Sequence, residues 1–191
     1  VPWAKKHNTI NCPAGHHIYE GRWLRNPEFV NDYIDFWLTK SGDGIRQYGF
    51  WAADAALAFH KVHRNDSIIL DQLPLLINNY YEWEKIRRDS TNILFWQQDG
   101  KEGMEVSVSG RILNNGIPIG GMSAIRPTMN SYMHGDAKAI ATLAKLKNNQ
   151  SVARTFNEKA FLIKKQVQDR LWNETLDFFT VLPKDYDDTS K

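Results

Sequence analysis

Three carboxylates lie close together in the segment DGKEGMEVSVSG, residues 99–110, at Asp99, Glu102 and Glu105. A carboxylate in a loop is most often simply solvated. Glu105 has a different setting, because apolar side chains flank it on both sides and the aromatic run ILFW, residues 93–96, lies just upstream. Apolar surroundings favour the neutral form of a carboxyl group, and a neutral acid can protonate a leaving oxygen. The segment therefore indicates general acid chemistry at Glu105.

A second group of polar side chains occupies SAIRPTMNSYMHGDA, residues 123–137. Arg126, Asn130, Tyr132 and His134 can hydrogen-bond vicinal hydroxyls or a carboxylate. Asn130 and His134 are four residues apart, so they can share one face of a helix. The segment predicts either a sugar-contacting surface or a well-capped helix with a polar exposed side.

A third group, GHHIYEGRW, places Glu20, Arg22 and Trp23 within four residues. Its HHxxE pattern does not match the HExxH order of a zinc helix. We therefore expect no metal site and no cofactor here, and interpret the group as part of a cleft or as a surface loop.

The elements that must position these groups are mainly helices. Residues 89–126 lack a helical period, and long irregular segments in compact domains are usually functional or disordered. Their aromatic and β-branched residues argue against disorder. Pro74 predicts a kink or a break within the third helix. Apolar spacing of three and four residues predicts helices over about 27–40, 50–63, 66–88, 127–147 and 151–172.

We interpret residues 1–191 as a single domain. Residues 1–26 show no clear period and are predicted to be an extended lead-in. The run DFFTVLP is predicted to form a short strand, and residues 184–191 are predicted to form a polar tail. A succession of helix, loop and helix favours an all-α fold of stacked antiparallel hairpins with one long irregular loop.

The composition excludes several classes of protein. The 24 basic and 22 acidic residues nearly cancel, and no concentrated basic face indicates nucleic-acid binding. No run approaches the roughly 18 apolar residues of a membrane span, so we expect no membrane partner. The single cysteine excludes an internal disulfide but leaves the compartment open.

An ordered set of stretches resembles the six-hairpin glycosidases, in particular the trehalase, glycoside hydrolase family 63 and mannosylglycerate hydrolase-like group. The resemblance covers about residues 15–183. It implies that the hairpins form part of an (α/α)6 toroid and that the protein hydrolyses glycosidic bonds with inversion. Its stretches are GHHIYEGRWL, RQYGFWAADA, LPLLINNYYEWEK, EGMEVSVSG and IRPTMNSYMHGDAKAIATLAKL.

The same resemblance implies roles for individual residues. The segment GMEVS, residues 103–107, is similar to the trehalase motif Gly-Trp-Asp-Phe-Ser, which implies that Glu105 is the general acid although the family has Asp there. It also implies that a glycoside or oligosaccharide substrate is bound by Glu20, Arg22, Trp23, Arg46, Gln47, Arg126 and Asn130.

A complete toroid of this kind has twelve helices, whereas the sequence predicts five. Inversion also requires a second carboxylate, and in the families resembled this base lies in the C-terminal part. We therefore expect the chain to be a fragment whose partner is the remainder of its catalytic domain, and to be inactive or nearly so alone.

Two other functions fit the sequence. The chain could be a non-catalytic helical module that binds carbohydrate or protein through an exposed apolar edge. It could also belong to an α/α-toroid sugar lyase or epimerase, with proton transfer by His134 and Tyr132.

Overall fold

The computed structural model describes residues 10–64, 67–102, 112–114, 117–119 and 123–184. Their helices are α1 (Ala14–Gly21), α2 (Glu28–Asp35), α3 (Ala52–Val62), α4 (Ser67–Asp71), α5 (Leu73–Arg87), α6 (Pro127–Leu146) and α7 (Gln150–Leu171). A π-helical turn, Phe36–Lys40, continues α2, and a 3-10 turn, Gly42–Arg46, follows it. The prediction of an all-α fold of helical hairpins, part of a toroid, is confirmed.

Helix α1 corrects the prediction of an extended lead-in, because it occupies Ala14–Gly21 within residues 1–26. Its eight residues are too few to be stable alone in water, so its helical state depends on tertiary packing. Ala14, Gly15 and Ile18 supply the buried face, which packs against α3. Such a short stripe gives little periodic signal in the sequence.

Helices α1, α3 and α6 pack side by side, and α5 and α7 pack against α6. Small residues permit the close approach of α3 and α6, since four alanines of each helix are buried. The antiparallel hairpin of α6 and α7 turns at Asn148, whose φ of 57° is left-handed, and Asn149 caps α7 by accepting from the Val152 N–H at 3.2 Å. The core lies between these five helices, and it also includes Val30 and Ile34 of α2 and Trp37 of the π-helical turn.

The predicted break near Pro74 is confirmed. Helix α4 ends at Asp71, and Pro74 lies in the first turn of α5, where its missing N–H costs no helical hydrogen bond.

The irregular segment, residues 89–126, contains short strands and no helix before Arg126 within its described residues. They are β1 (Trp96–Gln98), β2 (Ile112–Asn114), β3 (Ile117–Ile119) and β4 (Ser123–Ile125), followed near the C-terminus by β5 (Trp172–Asn173), β6 (Phe178–Phe179) and β7 (Leu182–Pro183). Strand β4 pairs antiparallel with both β1 and β7, β2 pairs with β3, and β5 pairs with β6. The single strand predicted for DFFTVLP is two separate short strands, β6 and β7, which pair with β5 and β4 respectively.

Candidate active site

Arg126 and Glu102 meet at the end of the small sheet. Strand β4 leads directly to Arg126, the N-terminal cap residue of α6, and β1 leads towards the turn that contains Glu102. The Arg126 Nη1 donates to the carbonyl of Gln97 at 3.1 Å and lies 3.7 Å from Glu102 Oε1. The side chains are 1% and 9% exposed, so the two charges form a buried ion pair.

Burial raises the pKa of the Glu102 carboxyl group, and the charge of Asp99 raises it further, while Arg126 opposes both effects. The net direction is upward. Glu102 therefore keeps a proton to a higher pH than a solvated glutamate does.

An aromatic wall, defined here as Trp51 and Tyr132, stands beside this pair. The two ring centroids are 4.5 Å apart, and His16 meets Trp51 edge-on at 4.9 Å. Burial raises the pKa of Tyr132, and the charge of Glu102 raises it further. A Cβ atom at Gly49 would lie 3.2 Å from Tyr132 Cε2, so the lead-in to α3 packs against the wall. The Gly49 N–H donates to the Lys101 carbonyl at 2.9 Å, so the lead-in to α3 also touches the turn that contains Glu102.

Asn130 is buried completely and acts on the backbone around this site. Its side-chain oxygen accepts from the Phe95 N–H at 2.8 Å. Its amide nitrogen donates to the Phe95 carbonyl at 2.9 Å and to the Arg126 carbonyl at 2.8 Å. Both amide hydrogens are thus engaged, and Asn130 ties the first turn of α6 to the start of β1.

Arg46 and Gln47 lie in the loop that precedes α3. Arg46 donates to Asn79 Oδ1 of α5 at 2.9 Å and to Asp43 Oδ1 at 2.6 Å, whereas Gln47 is half-buried at the end of the 3-10 turn. Asn11 holds the loop by donating to the carbonyls of residues 45 and 48, both at 2.8 Å.

The third predicted group, Glu20, Arg22 and Trp23, lies near the C-terminal end of α3, away from Glu102 and Arg126. The Arg22 carbonyl is hydrogen-bonded to His63 Nε2, at the C-terminal end of α3. Trp51 is at the other end of this 11-residue helix, about 18 Å from His63 at 1.5 Å per residue. The Arg22 guanidinium lies over the rings of Tyr19 and Trp23, at 4.7 and 4.9 Å from their centroids. Glu20 is exposed.

A groove of about 490 Å³ runs from this group along α3. Trp23, with 66% of its surface exposed, Arg22 and Lys61 line it, together with Tyr19 and Asp54. The Tyr19 hydroxyl donates to Asp54 Oδ2 at 2.5 Å. Burial and this carboxylate raise the pKa of Tyr19 to about 12.

Glu105, the predicted general acid, lies outside the described residues, and its role stays a prediction. Across the described ranges, no three His, Cys, Asp or Glu side chains are grouped so as to hold a metal ion. His17 Nδ1 lies instead 3.0 Å from the Tyr33 hydroxyl. No helix in the described ranges is long and apolar enough to cross a membrane.

The ordered stretches around this site have counterparts in known proteins. The family model for the mannosylglycerate hydrolase MGH1-like glycoside hydrolase domain matches residues 6–191. The chain belongs to this family. The six-hairpin resemblance inferred from the sequence is thereby confirmed at the level of the family.

One solved structure similar to this MGH1-like chain is named a sialidase. It superposes with a TM-score of 0.84 at 35% sequence identity, and the match covers 97% of this chain. The chain spans only 17% of the length of that sialidase. No curated protein sequence matches the chain.

Sequence reasoning missed Trp51 as part of the candidate site. The pattern around it, FWAADAALAFH, predicts a helix over about residues 50–63, which places Trp51 within the helix. The structure shows that Trp51 precedes the helix and faces Tyr132 across the α3–α6 interface. The available signal was the position of a large aromatic residue directly before an alanine-rich helix.

Replacement of Gly15 by Ala is expected to displace Trp51. A Cβ atom at position 15 would lie 2.4 Å from Trp51 Cε2, which is closer than van der Waals contact allows. We expect unfolding free energy to fall by about 1–3 kcal/mol despite the better helix propensity of Ala. Urea denaturation would measure this loss, with Gly44→Ala as control because its nearest neighbour would be 3.9 Å away. Equal stability of both variants would contradict the close contact.

Proposed function

We propose that this chain forms part of the active site of a glycoside hydrolase that cleaves O-glycosidic bonds. Membership of the MGH1-like family over residues 6–191 is the observation that carries the proposal. The buried pair of Glu102 and Arg126 beside the aromatic wall supports it, since polar groups next to flat aromatic surfaces suit a saccharide.

In the proposed mechanism, Glu105 donates its proton to the glycosidic oxygen as the bond to the anomeric carbon breaks. A water molecule attacks the opposite face of that carbon and loses a proton to a second carboxylate. Inversion requires the two carboxyl groups to be about 6.5–9.5 Å apart, so that water fits between them. We place this second carboxylate outside the chain.

Glu102 has a supporting role in this proposal. It precedes Glu105 by three residues, and its ion pair with Arg126 anchors the start of the segment that carries the acid. Since the pKa of Glu102 is itself raised, Glu102 is the alternative proton donor if Glu105 proves dispensable.

The structural support for the proposed substrate contacts differs from residue to residue. Arg126 lies beside Glu102, and Arg46 and Gln47 precede the lead-in to the aromatic wall. Glu20, Arg22 and Trp23 would require a substrate or a second sugar unit that reaches the far end of α3. For Asn130 we propose a structural role in place of substrate binding, because both of its amide hydrogens donate to backbone carbonyls.

The names of the family and of the structural neighbour suggest which substrates to test first. The family description gives mannosylglycerate, and the structural neighbour is named a sialidase. The complete enzyme that contains this domain would be incubated with mannosylglycerate and with a sialoside, and the first anomer released would be followed by proton NMR. Release of sugar with inverted configuration is expected. Absence of any glycoside hydrolysis would reject the function, and retention would reject the mechanism.

A carbohydrate- or protein-binding module is the second candidate. It is favoured by exposed aromatic side chains at Trp23, Phe29, Phe161 and Phe178. Saccharide binding without turnover by the complete protein would support it. The lyase or epimerase alternative has less support, because His134 Nδ1 lies 2.9 Å from the Ala160 carbonyl of α7 while Tyr132 faces Trp51.

A further inference from the structure

Helix α3 lacks an N-terminal cap of its own. The cap position is Trp51, whose side chain accepts no hydrogen bond. The N–H groups of Ala52, Ala53 and Asp54 in the first turn have no helical acceptor, as at the start of any α-helix. Leaving such groups buried without acceptors would cost about 1–3 kcal/mol each.

The missing acceptor comes from another helix. Asp136 of α6 is 1% exposed, and its Oδ1 accepts from the Asp54 N–H at 2.9 Å. Burial raises the pKa of this carboxyl group well above the usual range of an aspartate, while the backbone of Asp54, Ala53 and Ala52 opposes the rise. One side chain of α6 thus supplies a hydrogen-bond acceptor to the first turn of α3.

The same face of α6 also contacts the residue that precedes α3. Tyr132 and Asp136 are four residues apart, so they lie one above the other on the helix. Tyr132 contacts the Trp51 ring, while Asp136 accepts from the Asp54 N–H, three residues after Trp51. Two adjacent positions of α6 therefore fix both the backbone and the side chain of the aromatic wall.

We infer that Asp136 is a positioning residue for the active site, because its cross-helix cap holds Trp51 against Tyr132 beside Glu102. The inference rests on the proposed function only in its consequence for catalysis. A shift of about 1 Å in a group that orients a substrate can cost about 100-fold in rate. Loss of the cap would release the α3 lead-in, which also contacts Lys101 next to Glu102.

The test compares Asp136→Ala and Asp136→Asn with Thr142→Ala, a control on the exposed side of α6. Amide hydrogen exchange and the Trp51 indole resonance would be measured by NMR on the 191-residue chain. In Asp136→Ala we expect exchange at the Asp54 N–H to accelerate at least about 10-fold and the indole resonance to shift. Asp136→Asn should show smaller changes, because Asn also accepts from N–H groups at helix starts. Thr142→Ala should match the wild type.

In the complete enzyme, Asp136→Ala is expected to lower kcat about 10-fold, with partial recovery in Asp136→Asn. Unchanged exchange at Asp54 in Asp136→Ala would overturn the inference. Faster exchange with an unmoved indole resonance would also overturn it, since Asp136 would then cap α3 without positioning Trp51. If Asp136→Ala does not fold, Asp136→Asn decides by the same two measurements. A wild type that hydrolyses no glycoside would reject the proposed function alone.

Discussion

Replacement of Glu105 by Gln in the complete enzyme is expected to lower kcat at least about 100-fold and to change substrate binding little. Gln keeps the size of the side chain but has no proton of suitable acidity for the leaving oxygen, and general acid catalysis contributes about 10²–10⁴-fold. The loss should be smaller for an aryl glycoside with a good leaving group, because such an oxygen needs less protonation. Steady-state kinetics on both substrates would measure the difference.

Glu102→Gln is the matched control for this experiment. It removes a carboxyl group three residues away and leaves Arg126 buried beside a neutral amide. We expect a smaller loss in kcat that is the same for good and poor leaving groups. Near-normal turnover in Glu105→Gln would remove Glu105 from its role. If Glu102→Gln instead showed the dependence on the leaving group, the proton donor would be Glu102.

Replacement of Asn130 by Ala is expected to destabilise the chain by about 3–5 kcal/mol. The side chain is fully buried, and its loss would leave the Phe95 N–H, the Phe95 carbonyl and the Arg126 carbonyl without this partner. Each backbone group left unsatisfied in a core costs about 1–3 kcal/mol. Thermal denaturation should show a fall in Tm of roughly 10 °C for a protein of this size.

Thr142→Ala on α6 provides the comparison for Asn130. Its hydroxyl makes one exposed hydrogen bond, to the Lys138 carbonyl at 2.9 Å. We expect its Tm to stay within about 2 °C of the wild type. A similarly small shift for Asn130→Ala would show that the three backbone groups find other partners. A variant that cannot be purified folded would agree with the expected loss.

The long helices and their hairpin packing were predictable from the sequence. Helices α3, α5, α6 and α7 are long enough for their apolar residues to show a helical period in the sequence. Pro74 predicts a break because proline cannot donate a backbone hydrogen bond inside a helix. Helix α1 was not predictable in this way, because its eight residues depend on contact with α3. The family was recognisable from ordered motifs rather than from any one residue.

The residue types of the candidate site were also visible in the sequence, as carboxylates in an irregular segment and an Arg–Asn–Tyr cluster after it. Their arrangement was decided only by tertiary structure. The sequence grouped Arg126 with Asn130 as sugar contacts, whereas the fold gives Arg126 a buried carboxylate and Asn130 three backbone partners. The spacing of residues within one helix fixes which side chains share a face. The partner across that face, such as α3 for Asp136, depends on how distant parts of the chain pack.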